Sequence, residues 1–191
     1  MGFSDDLRAA YAEQPFLLAP MAGVTDAAYR IMCRRRGAAM AYSEMVSVAG
    51  LAYASNKTWR LVLPEDEEPQ ICMQLFGSKP EQFAGAVDAV QERVGDKLSL
   101  IDINMACPAR KVITKGEGSA LMETPELAAD IVRAAVERGC RLIVVDPRDI
   151  GLAKMADIHL KIRPGTNVAF ANAMTNVLIK ERLVDEGFVR N

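Results

Sequence analysis

Cys107 closes an apolar run in "IDINMACP" (101–108), three residues after Asn104 and directly before Pro108. Three chemistries are open to such a side chain: a small buried hydrophobe, a metal ligand, or a reactive thiol. The four cysteines, Cys33, Cys72, Cys107 and Cys140, lie far apart and form no C-x-x-C pair. They share the chain with one histidine, His159, so no zinc site and no other metal is expected. Cys33 and Cys72 read as core residues and Cys140 as a pre-strand residue. Cys107 differs by position: it lies past the last apolar strand residue, where the backbone leaves the sheet. A thiol there can face a ligand and act as an acid or a nucleophile. Two amides are of matching interest, Gln74 inside "MQLFG" and Asn104. A buried amide needs partners, and these are either structural or the edge of a heterocycle, which takes both a donor and an acceptor. Glu44 in "YSEMVS" needs a cation or a donor.

The elements that position these residues alternate. "PFLLAPMAG" (15–23), "MAYSEMVS" (40–47), "QICMQLFGS" (70–78), "LSLIDINMACP" (98–108) and "RLIVVDP" (141–147) read as strands. Helices fall between them. The first is capped by Thr25 or Asp26, takes Tyr29, Ile31, Met32 and Cys33 as its apolar face, and stops at Gly37. Another has Pro80 in its first turn and Gly95 past its end, and a third runs from Thr124 and Pro125 to Gly139. "VAGLAYASNKTWRLV" is a helix fading into a loop, "PEDEEP" (64–69) a solvated acidic turn, and "RRR" (34–36) a solvated helix end. "KGEGSALM" (115–122) lacks the spacing of a phosphate-binding loop. Strands alternating with helices predict a parallel sheet, either doubly wound or a (β/α) barrel. In both, ligand chemistry lies at the carboxyl ends of the strands. "PMAG", "QLFG" and "NMACP" therefore converge on one rim, with Arg110, Lys111 and Lys115 placed to meet an anionic substrate there.

The chain has 191 residues, enough for one domain or slightly more, with a net charge of −2 that does not mark a nucleic-acid binder in bulk. No apolar run is long enough to span a membrane, and "MGFSDDLRAAYAEQ" is too polar for a secretory signal. Free thiols then point to the cytoplasm.

Four segments in order, "LAPMAGVTDAAYR", "AYSEMVS", "MQLFGSKPEQFAGA" and "DINMACPARKVITKGEGSALM", resemble the tRNA-dihydrouridine synthase family over residues 16 to about 138. The resemblance implies an FMN-binding (β/α)8 barrel, NADPH as reductant, a tRNA substrate, and reduction of uridine with hydride from the flavin and a proton from a cysteine. Carried onto this chain, it implies that Pro20, Met21 and Ala22 line the FMN. It implies further that Gln74 hydrogen-bonds the flavin ring, that Asn104 lies close by at the cofactor, and that Cys107 is the proton donor. Ala106 stands where many members carry Gly.

Beyond the helix ending near Glu137 the sequence changes character. "VVDPR…ADIHLKIRPGTN…NAM…LVDEGFV" resembles the molybdopterin oxidoreductase family of the formate dehydrogenase type. That resemblance implies molybdopterin guanine dinucleotide as an alternative cofactor, with Asp146, Pro147, Arg148, Gly165, Thr166 and Asn167 at the contact positions. Asn167 replaces the usual Asp. "HLKIR" (159–163) also mimics the fifth-strand lysine motif of the flavin barrel, but the longer series favours the molybdopterin assignment over Lys161 as a flavin ligand. The expectation is an α/β chain. Residues 1–138 form the N-terminal half of an FMN barrel, and 139–191 a strand–helix fragment ending in a helix at about 167–183. A complete barrel takes about 250 residues. The predicted fold is therefore an incomplete (β/α) TIM-barrel-like parallel sheet with flanking helices. Its open edges favour self-association, and FMN binding is expected to be weak or absent. The rival to both enzyme readings is a catalytically inactive chimera.

Overall fold

Strand order decides between the two architectures. The computed structural model describes residues 16–53, 56–60, 62–145 and 151–160. Strands β1 (Leu17–Leu18), β2 (Met40–Ser47), β3 (Ile71–Phe76) and β4 (Leu98–Ile103) form one parallel sheet in the order in which they occur in the chain. A doubly wound sheet reverses its order at a switch point, whereas a (β/α) barrel keeps it. The sheet is thus of the barrel type, partial and flanked by helices.

Its two faces follow from the period of two along a strand. Val46, Ile71, Met73 and Leu75 are buried against helices α2 (Val48–Ala52), α4 (Pro80–Val94) and α6 (Pro125–Val136), with Ile101 and Ile103 packed onto the same cluster. The alternate residues of β3 and β4 are Cys72, Gln74, Leu100 and Asp102, in register as Cys72↔Leu100 and Gln74↔Asp102. Tyr42 and Met45 of β2 pair with Cys72 and Gln74. One face is a hydrocarbon core and the other carries the polar groups.

The helices form where their sequences direct. Pro80 opens α4, Gly95 (φ 58°) ends it, and Phe83, Ala86, Val87, Val90 and Val94 make the buried stripe. Burying Phe83 fully is worth roughly 1.5–3 kcal/mol. α1 (Ala27–Arg35) is capped by Asp26, whose carboxylate accepts from Tyr29 N at 2.9 Å. α6 begins at Pro125, but Thr124 makes no side-chain capping hydrogen bond. A short helix α3 (Asn56–Arg60) precedes the acidic loop, and another, α5 (Arg110–Ile113), follows Cys107.

Several expectations are corrected. β1 stops at Leu18, since Pro20 cannot donate to a ladder and the chain turns back, with Val24 N and Thr25 N both donating to Met21 O. β4 stops at Ile103 because the Asn104 side chain takes up the next backbone donors. On α1, Met32 is 52% exposed and Arg30 is the buried residue, 1% exposed. The acidic turn is not wholly solvated: Glu68 is completely buried and pairs with Arg30. Arg34 is half-buried and donates to Ala39 O at 3.1 Å and Gln70 O at 2.6 Å, so only Arg35 and Arg36 of the triplet are solvated.

The chain divides into two units, Met1–Cys140 and Arg141–Asn191. In the second, β5 (Ile143–Val145) and β6 (Ile158–Leu160) form a parallel pair joined through a 3₁₀ turn at Gly151–Met155, and Leu142 N donates to Asp157 Oδ2 at 2.7 Å. The helix expected at 167–183 lies outside the described residues. Among the described residues no helix is long and apolar enough to cross a membrane.

Candidate active site

The loop after β1 carries Pro20, Met21 and Ala22, and its shape is locked from two sides. Thr25 Oγ1 accepts from Met21 N at 3.1 Å and donates to Met21 O at 3.0 Å. Gly23, at φ 77°, donates its N–H to Glu44 Oε2 at 2.6 Å. Glu44 thereby obtains the donor that a carboxylate on a strand requires. Beneath the loop, Arg30 donates to Thr25 O at 3.0 Å and, through Nε and Nη2, to both oxygens of Glu68 at 2.7 Å. Glu68 also accepts from Glu65 N at 3.0 Å. The result is a small apolar shelf, with Met21 36% exposed and Ala22 exposed, resting on a buried ion pair.

At β3 and β4 the polar groups form a directed chain. Gln74 Nε2 donates to Asp102 Oδ2 at 2.5 Å, Asn104 Nδ2 donates to Gln74 Oε1 at 3.0 Å, and Asn104 Oδ1 accepts from Cys107 N at 2.9 Å and Ala106 N at 3.2 Å. Asn104 N donates to Leu75 O at 2.9 Å, which pins the turn to the sheet. Gln74 N donates to Ser43 Oγ at 3.3 Å. Gln74 is 8% exposed, while Asp102, Asn104 and Cys107 are half-buried.

Cys107 is held from the other side by the loop that follows it. Its carbonyl accepts from Ser119 N at 3.1 Å. Gly118, at φ 61°, comes so close that a Cβ there would lie 2.6 Å from Cys107 O and 3.2 Å from Cys107 Cβ. Only glycine meets both the conformation and the contact. Gly77, at the end of β3, is required by contact alone: a Cβ there would meet Val48 Cγ2 at 2.4 Å. Arg110, Lys111 and Lys115 are exposed, and Lys115 O accepts from Ser78 Oγ at 3.2 Å.

Cys72 lies behind the site and donates to Met40 Sδ at 3.8 Å. Burial pushes its thiol up to about 12, with Asp102 adding in the same direction against the opposing pull of Arg34. The Tyr42 hydroxyl is likewise raised, by burial first and then by Cys72 and Asp102. Both groups stay neutral at ordinary pH.

Of the residues singled out in the sequence, Gln74, Asn104 and Cys107 are joined by hydrogen bonds, whereas Pro20, Met21 and Ala22 lie at the end of β1, across β2 from Gln74. Asp146, Pro147, Arg148, Lys161, Gly165, Thr166 and Asn167 lie outside the described residues. Among the described residues no group of three or more His, Cys, Asp or Glu side chains could hold a metal ion. Sequence reasoning missed Arg30, Glu68 and Asp102, and gave Thr25 only a helix-capping role. Asp102 had a signal: it stands two residues before Asn104, on the same face of the strand that the sequence predicts over 98–108.

The donor set suits a flat heteroaromatic ligand. Gln74 keeps one N–H and one oxygen lone pair beyond its two side-chain bonds, and the Pro20–Ala22 shelf is apolar. That combination of an amide edge and an apolar surface fits a flavin ring.

The family model for Dihydrouridine synthase (Dus) matches residues 17–140. The chain is 44% identical over 120 residues to tRNA-dihydrouridine synthase B of Shewanella oneidensis, covering 63% of this chain and 36% of that protein. It is 41% identical over 159 residues to the protein of that name from Xanthomonas axonopodis pv. citri, covering 83% and 42%. With the Pseudomonas aeruginosa protein of that name it is 44% identical over 167 residues, covering 87% and 45%. The chain thus spans between 36% and 45% of the length of these curated relatives.

Proposed function

We propose, since the chain belongs to the dihydrouridine synthase family, that residues 1–138 are the N-terminal half of an FMN barrel that reduces uridine to dihydrouridine in tRNA, with Cys107 as proton donor. The observation that carries this reading is the hydrogen-bonded path from Gln74 through Asn104 to the Cys107 backbone. It supports the reading by linking an amide with bonding capacity to spare to the turn that carries a thiol. Pro20, Met21 and Ala22 form the apolar side of the flavin site, Gln74 binds the ring edge, and Asn104 orients both Gln74 and the cysteine turn. Hydride is the chemistry FMN supplies when bound, with NADPH as its reductant. Cys107 holds the transferable proton on Sγ, and the turn anchored by Asn104 fixes where that proton is offered. Arg110, Lys111 and Lys115 meet tRNA phosphates, a contact that positions without specifying sequence. The cytoplasm is the compartment this substrate implies, and the edges of the parallel sheet are surfaces for self-association.

Residues 139–191 keep the molybdopterin-type assignment as a proposal on the series from "VVDPR" to "LVDEGFV". A second reading has a specific observation in its favour. The 167-residue match to the Pseudomonas protein runs past residue 140 wherever it begins. Part of the second unit therefore aligns with the same relatives, and "HLKIR" with Lys161 is the stretch of it that resembles the flavin barrel. A single long sequencing read across codons 130 to 150 of the source genome separates a natural junction from an artefact.

The test is a titration of FMN with the full chain, read by flavin fluorescence, followed by an assay of dihydrouridine in tRNA. Weak saturable quenching is expected, weakened about tenfold in Gln74→Leu, as loss of one ring-edge hydrogen bond dictates. Cys107→Ala should keep that affinity and abolish product. Quenching that is absent, or identical in Gln74→Leu, overturns the flavin reading.

A further inference from the structure

We infer that Asp102 is a positioning residue that fixes the orientation of both amides, Gln74 and Asn104, and through them the backbone of Cys107. The inference rests on the functional reading above only for what Cys107 is positioned to do. Its basis is the chemistry at the two ends of the chain of hydrogen bonds. An amide side chain offers a donor on one branch and an acceptor on the other, so a row of amides can be satisfied in either of two senses. Here each end admits only one. At the far end stand the N–H groups of Ala106 and Cys107, which only donate, so Asn104 must turn its oxygen to them. Its nitrogen then faces Gln74, whose oxygen accepts at 3.0 Å. Gln74 is left presenting its nitrogen to position 102, at 2.5 Å. A carboxylate, which only accepts, locks that sense. A residue that can both donate and accept would let Gln74 reverse. Asn104 would then have to reverse too, and its amide nitrogen would be turned to two backbone donors that it cannot bond.

Strand register supplies the rigidity this needs. Gln74 and Asp102 are direct partners across β3 and β4, and Asn104 N is itself bonded to Leu75 O. The carboxylate acts from a sheet position and touches neither Cys107 nor Ala106 in this path.

The experiment uses the full chain with no flavin and no tRNA, so its outcome is independent of whether the flavin reading holds. The rate of alkylation by iodoacetamide is measured at each cysteine by mass spectrometry. Asp102→Asn keeps the size and a hydrogen-bonding group and removes the acceptor-only character together with the charge. It should raise the Cys107 rate about fivefold, the factor that one lost neutral hydrogen bond is worth, and leave Cys33 and Cys140 unchanged. In an Asn104→Ala background, where the anchor is already gone, the same change should have no further effect, as coupling through a shared path requires. An unchanged Cys107 rate, a rise at all four cysteines together, or additivity with Asn104→Ala overturns the inference. If the circular dichroism of Asp102→Asn departs from that of the parent, Gln74→Met removes the same link without a charge change. It carries the same expected factor and the same overturning results.

Discussion

Arg30 with Glu68 and Gln74 with Asp102 are both polar contacts between segments distant in sequence, and they end differently. The first is closed: the guanidinium and carboxylate are 1% and 0% exposed, and they bond to each other and to the backbone at Thr25 and Glu65. The second is open: it runs toward a half-buried rim, and Gln74 keeps a donor and a lone pair over. A closed network holds a loop in place, whereas an open one holds capacity for a ligand. Both serve the same rim, one by fixing the Pro20–Ala22 shelf and the other by fixing Cys107.

The largest effect expected from breaking this contrast is at the closed pair. Glu68→Ala leaves Arg30 charged and buried without its partner, and should cost about 3–5 kcal/mol, read as a lowered urea midpoint. A loss below about 1 kcal/mol would mean that water reaches the pair. Next in size is an alkaline effect beneath the open network. The folded-state value of Cys72 is raised from 9.0 to about 12. Its contribution is therefore fully present below pH 9 and is lost as pH climbs toward the folded value. Between pH 9 and 11 stability should fall by about 2 kcal/mol, with Tyr42 adding in the same direction above its ordinary 10.0. Cys72→Ala should flatten the slope in denaturation series at stepped pH. Smallest is Arg35→Ala, which breaks an exposed ion pair with Glu67, the residue beside Glu68. A change of about 0.5 kcal/mol or less in the same assay would show that burial, rather than charge, makes its neighbour matter.

The parts of the fold legible in the sequence are those written locally. Pro80 and Gly95 bound α4, Asp26 caps α1, and the apolar runs of β3 and β4 fall where their residues direct. What was hidden depends on residues far away. Nothing near Glu68 tells that its partner is Arg30, 38 positions earlier, so an acidic run reads as solvent-facing until the fold is known. Strand ends were misplaced where side chains intervene, as Asn104 does by taking the backbone donors of the next residues. Cys107, Gln74 and Asn104 were visible because polar residues in apolar strands stand out. Asp102 is equally polar, but its importance comes from lying opposite Gln74, and register is a property of two strands.

The sequential order of the sheet also bears on how the molecule is made. Leu17 pairs with Met40, Tyr42 with Cys72 and Gln74 with Asp102, separations of 23, 30 and 28 residues. Loops of such similar length carry nearly equal closure costs, since even a doubling adds only about 0.6 kcal/mol. Each strand can dock on its predecessor as soon as it leaves the ribosome, without waiting for a distant segment. The fourth strand is the last of this sheet among the described residues. That strand bears Asp102 and leads directly into Asn104 and Cys107, so the turn that holds the thiol is set in place only after the scaffold for it has formed.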